Sequence, residues 1–517
     1  MKKKNIIFIT ADQLGASFVG CYGSKVPSTP TLDRLASQGM RFDRSYAHVP
    51  VCAPNRATFL TGRSLDIHGI ATNNLTLTTE HPTYASVLQK SGYRTGGFGK
   101  FHQTPMQEPL PENFAYLGFD ESIPTEDPKL GPWLDWVERE HPEHYETALS
   151  VSWPMSYVDA YGPEKRNIRE AIAQARKKHL KPLMDQSKWH AMHSSPLPKE
   201  LHQTTYITDT SLDFMNRHLE NHQDKPFMCF VSYVDPHDPY DPPAPYDTMF
   251  NPDDMPDAIP APKGGHTSQT LKKSRDFNGF EAIADDPEEL RKLRAFFHGS
   301  IKFIDDQIAR IVSFLEEKGL TQDTIIVFTT DHGEMMGDHG LITKGVKHYD
   351  AGIRVPLIVW GSDVQQGVSD RLNSSLDIYP TLCDFAQATC IPPIEGKSLV
   401  PACHNEPSPQ WEQVTVQSPL GDANYPVRSI ITNDGFRFSI FMEENYGEMF
   451  NLTEDPKEQN NLYCNPDWTQ KRLELHERLT RAYMVAHKTP QFPNLPCVNG
   501  QPCIPSPQIH LPLAPIY

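Results

Sequence analysis

The sequence predicts an α/β fold: a large, mostly parallel sheet sandwiched by helices, then a smaller C-terminal α+β domain containing an antiparallel sheet. Two observations carry this. Up to about residue 402, uninterrupted apolar runs ("NIIFIT", "KPFMCFVSYV", "TIIVFTT", "VPLIVWG") alternate with helix-like segments. Such runs are strands buried on both faces, and their alternation with helices marks a parallel sheet. Beyond Ala402 come "QVTVQS", "VRSIITND" and "FRFSIFM", short strands of antiparallel type. The division is therefore 1–402 and 403–517, with insertions at about 103–202 and 242–286.

Taken in order, "NIIFIT" (Asn5–Thr10) is the first strand, and "TPTLDRLASQG" a helix with Pro30 in its first turn. "TYASVLQKSG" reads as a helix closed by Gly92, and "YRTGGFGKFH" as a strand emptying into a loop. From Gln103 to about His202 the pattern is irregular, with Trp133, Trp136, Trp153 and Trp189 among many Pro, His and Glu; it reads as decoration on a core, its tryptophans either stacking on a sugar or, the favoured reading, filling local cores. A helix over Thr204–Asn221 precedes the strand that ends in "DPHDP". Pro242 to about Asp286 reads as a lid, and Pro287–Lys318 as a long amphipathic helix leading to "TIIVFTT". A helix at "DIYPTLCDFAQ", another at Trp468–Ala486 and a Pro-rich tail complete the chain.

At 517 residues, 38% hydrophobic and 22% charged, the composition is that of a soluble globular protein. A formal net charge of −17 argues against nucleic acid or an anionic membrane as partner. No stretch approaches the roughly 20 apolar residues of a membrane span. "MKKKNIIFIT" is too short in its apolar run for a secretion signal, so a cytoplasmic location is expected. The nine cysteines form no CxxC and read as reduced thiols, a Cys497–Cys503 pairing in the Pro-rich tail being the disfavoured alternative.

In an open α/β sheet, ligands gather beyond the carboxyl ends of the strands. Four strands end there in chemistry-bearing residues: Asp12 and Gln13, Lys100 and His102, Asp235 and His237, Asp331 and His332. An Asp after a strand is ordinarily a cap or turn residue. Capping gives no reason for Lys and His to recur at the same ends, so the four read as one site. Asp12, Gln13, Asp331 and His332 are mostly oxygen donors, which favours a hard divalent ion, Ca²⁺ before Mg²⁺ or Mn²⁺. Lysine and histidine around such a metal suit a tetrahedral anion, and so ester hydrolysis at sulfur or phosphorus.

Cys52, in "HVPVCAPNRATFLTGR", admits three readings: a buried structural thiol, a thiolate nucleophile, or the precursor of another group. "CAPNRATFLTGR" resembles the sulfatase signature, Cys-x-Pro-Ser-Arg followed by a helix ending Leu-Thr-Gly-Arg. "NIIFITADQLG", "TPTLDRLASQG", "GKFH", "DPHDP", "TTDHGEMMGDHGLITKG", "IRVPLIVWG" and "GEMFNLTEDPKEQNNL" agree with that family in order and spacing. The resemblance implies an alkaline phosphatase-like fold and a formylglycine-dependent sulfatase. It implies that a formylglycine-generating enzyme oxidises Cys52, whose hydrate is then nucleophile and metal ligand beside Asp12, Gln13, Asp331 and His332. Arg56 would lie against that group, Lys100 and Lys344 would hold sulfate oxygens, His102 would accept a proton during release, and His237 would protonate the leaving alcohol. Asn55 stands where the motif has Ser, Gln13 where a second Asp is commoner, and His332 where many relatives carry Asn. The last two departures also resemble phosphonate monoester hydrolases and choline sulfatases. The expected substrate is a sulfate monoester of a saccharide or other small alcohol, with a phosphonate monoester or phosphodiester as the alternative. Oligomerisation stays open, since the Pro-rich tail can pack across a neighbouring subunit or along its own domain.

Overall fold

A computed structural model describes residues 3–263, 268–275, 280–389, 391–407, 410–418, 426–442 and 444–486, together with the backbone of 497–498 and 501–502. Eight strands form the main sheet: β1 (Asn5–Ala11), β2 (Met40–Tyr46), β3 (Arg94–Gly99), β4 (Glu121–Pro124), β5 (Phe227–Ser232), β6 (Thr324–Thr330), β7 (Leu357–Gly361) and β8 (Gly367–Ser374). Their order is β4-β3-β5-β1-β6-β7-β2-β8. Every pairing is parallel except those of β7, which runs against both β6 and β2.

β1 explains why its apolar run is unbroken. Ile6 and Phe8 join the core under helices Cys52–Thr61, Tyr84–Lys90 and Ile378–Phe385. Ile7 and Ile9 join the opposite core, under Pro30–Gln38, Gln203–Asn221 and Pro287–Glu317. Both faces are thus dry, as a parallel sheet between helical layers requires. The Pro287–Glu317 helix is capped by Asp286, whose carboxylate accepts from the Glu288 and Glu289 N–H groups at 3.1 and 3.2 Å. It buries Leu290, Leu293, Phe297, Ile301, Ile304, Ile308, Ile311 and Leu315, one stripe at three- and four-residue spacing.

The 103–202 stretch differs from its expected role. Glu121–Pro124 pairs with β3 as the edge strand of the main sheet, a contribution four residues long and too short to leave a pattern. The remainder builds its own core, in which Trp133 is fully buried and its indole N–H donates to Leu201 O at 3.0 Å. Core filling is therefore what Trp133 does. β2 and β8 also escape the sequence pattern, because charged residues interrupt both.

The second sheet comprises β9 (Gln413–Gln417), β10 (Val427–Thr432), β11 (Phe436–Phe441) and β12 (Gly447–Asn451), all antiparallel, in the order β12-β11-β10-β9. Leu475 and Leu479 of helix Thr469–Ala486 cover it against Phe438 and Met449. Buried Arg437 joins Glu448 at 3.1 Å and also pairs with Glu458. These two acids reach the main sheet's loops, accepting from the Tyr349 hydroxyl and the Asp350 N–H at 2.7 Å each. Cys21, Cys52, Cys229, Cys383, Cys403 and Cys464 are free thiols. A Cys497–Cys503 bridge lies outside the described residues. Among those residues no helix is long and apolar enough to cross a membrane.

Candidate active site

Cys52 is the first residue of the ten-residue helix Cys52–Thr61, all of it buried, so its side chain sits at the positive end of the helix dipole. Two amides hold this helix in register. Asn73 Oδ1 accepts from the Ala53 N–H at 3.1 Å. Asn55 Oδ1 accepts from the Val49 N–H at 3.2 Å, while its Nδ2 donates to Ser375 Oγ at 3.0 Å and to the Asp331 carbonyl. Asn55 therefore ties the nucleophile helix to the end of β6.

Asp12, Cys52, Asp331 and His332 bring one ligand-type atom each to within 4.8 Å of one another, and all four are fully buried. Cys52 Sγ lies 3.2 Å from His332 Nε2 and 3.7 Å from Asp12 Oδ1. His332 Nδ1 faces the Gly333 carbonyl at 3.0 Å; donation there fixes the ring and turns Nε2 toward the cluster. Two carboxylates, an imidazole and the position of Cys52 around one point fit a divalent metal. Arg56 braces them from behind: its Nε donates to Asp331 Oδ2 at 2.8 Å, Nη2 to Asp12 Oδ2 at 3.3 Å, and Nη1 to Lys100 O and Ser232 Oγ at 2.6 and 2.8 Å.

Gln13 comes to the rim of this set. Its backbone N–H donates to Asp331 Oδ1 at 3.0 Å, its Nε2 to Glu334 Oε2 at 2.6 Å and Tyr240 OH at 3.2 Å, and its Oε1 accepts from Lys344 Nζ. Gln13, His102 and Thr343 all hold positive φ (66°, 52° and 65°), a concentration of unfavourable backbone around one locus.

The cations face the same point. Lys100 Nζ lies 2.6 Å from Asp12 Oδ2 and donates to Asp127 at 2.6 and 2.8 Å. Burial disfavours its charge, but Asp12 and Asp127 outweigh burial and hold the ammonium well above its usual range. Burial likewise raises the Cys52 thiol, yet Lys344, Lys100 and His332 outweigh it and hold Cys52 well below the usual thiol range. Burial and the Cys52 charge push Asp12 up, while Lys100, His237 and Arg56 bring it below the ordinary carboxylate range. His102 helps favour the Cys52 thiolate, although neither of its buried ring nitrogens makes a well-formed hydrogen bond.

His237 Nε2 and Lys344 Nζ approach to 2.5 Å. Burial and Lys344 oppose the imidazolium, but Asp238 and Asp127 prevail and raise it to about 10. At that separation nothing fits between them, so one of the two is neutral and the contact is a direct hydrogen bond; an oxyanion arriving beside the pair would let both carry charge. The pair is built to grip one.

All the candidates (Cys52, Arg56, Lys100, His102, His237, Lys344, Asp12, Gln13, Asp331 and His332) thus gather in one buried network around Cys52. Three acids there were not anticipated. Glu126 accepts from the Phe101 and His102 N–H groups at 3.0 and 2.7 Å, Asp127 joins Lys100, and Glu334 holds Gln13. Glu126 and Asp127 follow β4, so the strand-end rule finds them once that short strand is recognised.

The Sulfatase family profile matches residues 4–388, and that of the N-sulphoglucosamine sulphohydrolase C-terminal region matches 337–484. The chain is 28% identical to an arylsulfatase of Clostridium perfringens over 91% of its length and 92% of the relative's. It is also 28% identical to the multifunctional alkaline phosphatase superfamily protein PehA of Trinickia caryophylli, covering 92% and 95%. A phosphonate monoester hydrolase from Silicibacter pomeroyi shares the fold at a TM-score of 0.75 and 23% identity, over 94% of this chain and 96% of that one. A match across most of the chain and a buried Cys/Asp/His centre at the strand ends lead to one conclusion: the chain is a hydrolytic enzyme belonging to the sulfatase family of the alkaline phosphatase superfamily.

Proposed function

We propose that the protein is a sulfatase hydrolysing a sulfate monoester of a saccharide or other small alcohol, with release of inorganic sulfate. The observation that carries this reading is the close His237–Lys344 pair together with Lys100, whose charge and that of Lys344 both act on Cys52. Three cationic groups around the Cys52 position suit an oxyanion gripped at several oxygens.

Asp12, Gln13, Asp331, His332 and the oxidised Cys52 would hold one divalent metal, Ca²⁺ before Mg²⁺ or Mn²⁺, supplying charge stabilisation to an ester oxygen. Cys52, oxidised to formylglycine by a formylglycine-generating enzyme and hydrated, supplies a geminal diol. That diol would supply one hydroxyl as the nucleophile toward sulfur, displacing the alcohol, and a second whose deprotonation would release sulfate. Lys100 and Lys344 hold sulfate oxygens, Lys344 exchanging Gln13 Oε1 for substrate. His237 donates the proton the leaving alcohol needs. Asp331 helps deprotonate the diol, Arg56 fixes Asp331 and Asp12, and His102 accepts the proton released in the second step.

A phosphonate monoester or phosphodiester hydrolase is the second reading, favoured by Gln13 and His332 in the donor set. Protein produced beside a formylglycine-generating enzyme should turn over an aryl sulfate in preference to an aryl phosphodiester, and its Cys52 peptide should have the mass of the aldehyde or hydrate. A large preference for the diester overturns the substrate assignment; an intact thiol with full activity overturns the nucleophile.

A further inference from the structure

Behind the His237 loop lies a second cluster of ligand-type side chains that the reaction above does not use. His202 caps helix Gln203–Asn221, Asp235 follows β5, and Asp241 follows the "DPHDPY" turn. One ligand-type atom from each lies within 4.8 Å of the others, and the residues are 2%, 5% and 1% exposed. Asp235 Oδ2 is 3.7 Å from His202 Nδ1 and accepts from the Thr204 hydroxyl at 2.5 Å. Asp241 Oδ2 accepts from Lys129 Nζ at 2.7 Å, but Asp241 Oδ1 is buried with no hydrogen-bond partner. A buried carboxylate oxygen left unmet is costly, and calls for an ion or water that the side chains do not supply.

Charge points the same way. The two carboxyl groups have one ammonium within ion-pair distance, that of Lys129 beside Asp241, while the Arg176 guanidinium lining the adjoining cavity donates to the Ser150 and Ser152 carbonyls at 3.3 and 3.2 Å. A cavity of about 230 Å³ lined by Asp241, His193, His190 and Asp238 gives the cluster an entry path. His193 Nδ1 faces the Ser194 carbonyl at 3.0 Å, and donation there leaves its Nε2 as an acceptor beside that cavity. His202 Nδ1 has only a long bond from the Thr204 N–H, at 3.3 Å, to give up.

We propose that His202, Asp235 and Asp241 form a second divalent-metal site, separate from the Cys52 centre, with its fourth position open to the His193 cavity. One nitrogen and two carboxylate oxygens with an open position suit a zinc-class ion. Such an ion clamps the loop carrying His237 to helix Gln203–Asn221, making it a positioning device for that histidine.

The test is metal stoichiometry, which does not depend on which ester the enzyme cleaves. Full-length protein is stripped by dialysis, loaded with Ca²⁺ together with Zn²⁺ or Co²⁺, and its total bound metal is analysed by elemental mass spectrometry. Two equivalents per chain are expected for the wild type, one for Asp331→Asn and one for Asp241→Asn. The Co²⁺-loaded Asp331→Asn protein should show visible absorption of a nitrogen- and oxygen-ligated ion, and adding His202→Ala should abolish it with at least a 10-fold loss of affinity. Two equivalents retained in Asp241→Asn, or none in Asp331→Asn, overturn the proposal. If Asp241→Asn does not fold, the presence or absence of a His202-dependent Co²⁺ spectrum in Asp331→Asn decides it.

Discussion

Asp127 shows how one carboxylate organises two catalytic candidates at once. It accepts both its hydrogen bonds from Lys100 Nζ, and its Oδ1 lies 3.9 Å from His237 Nδ1. Asp127→Asn should lower kcat about 10- to 100-fold, the usual cost of losing a supporting partner. The pH–rate profile separates this from a simple packing defect. Asp127 is among the charges that raise His237, after burial and Lys344 have opposed its protonation. Removing its charge should therefore lower the imidazolium's pKa and move the alkaline fall in rate to lower pH. An unchanged alkaline limb would remove Asp127 from this role.

At the scale of elements, two local conditions hold the site-bearing strands and helices in place. Gly99 ends β3 at φ +101°, and a Cβ there would lie 1.9 Å from the Ser232 carbonyl oxygen. Gly99→Ala should cost about 3 kcal/mol or more, read by denaturant unfolding, and should displace Lys100 along with the strand end. The second is the cap on helix Pro30–Gln38, where Asp305 accepts from the Thr31 and Leu32 N–H groups at 3.0 Å. Burial pushes this carboxyl up to about 6 despite those bonds. Because the folded value exceeds the unfolded one, its contribution is fully present below the unfolded value of 3.8 and is lost as pH rises through about 6. Wild-type stability should thus fall relative to Asp305→Asn by up to about 3 kcal/mol across that window, measured by unfolding at each pH. Parallel slopes would refute it.

The whole molecule depends on how its second sheet is fastened to the first. Arg437, 1% exposed, sits between Glu448 and Glu458 and stacks over Tyr349 at 4.6 Å. Tyr349 and the Asp350 N–H come from the main sheet's loops, so one buried guanidinium balances the acids that join the two sheets. Arg437→Leu leaves those acids buried without their cation and should destabilise by about 3–5 kcal/mol. Differential scanning calorimetry should show the lower-melting transition carrying the β9–β12 sheet. A variant as stable as the wild type would show that the acids find another partner.

The sequence by itself determined the sheet's central strands, because their apolar runs are dry on both faces, and it determined the residues at their carboxyl ends. It also placed Cys52, since "CAPNR" at the start of a helix is local and survives any packing. Tertiary structure decided the rest. The edge strand β4 is four residues long and owes its existence to pairing with β3; only that pairing brings Glu126 and Asp127 to Lys100 and His102. Asn55 became an anchor, and Gln13 a link between Glu334 and Lys344, through partners about 320 residues distant in the chain. Local patterns record which faces of an element must be buried. Which polar groups meet across those faces is set by long-range register, and no window of the sequence contains it.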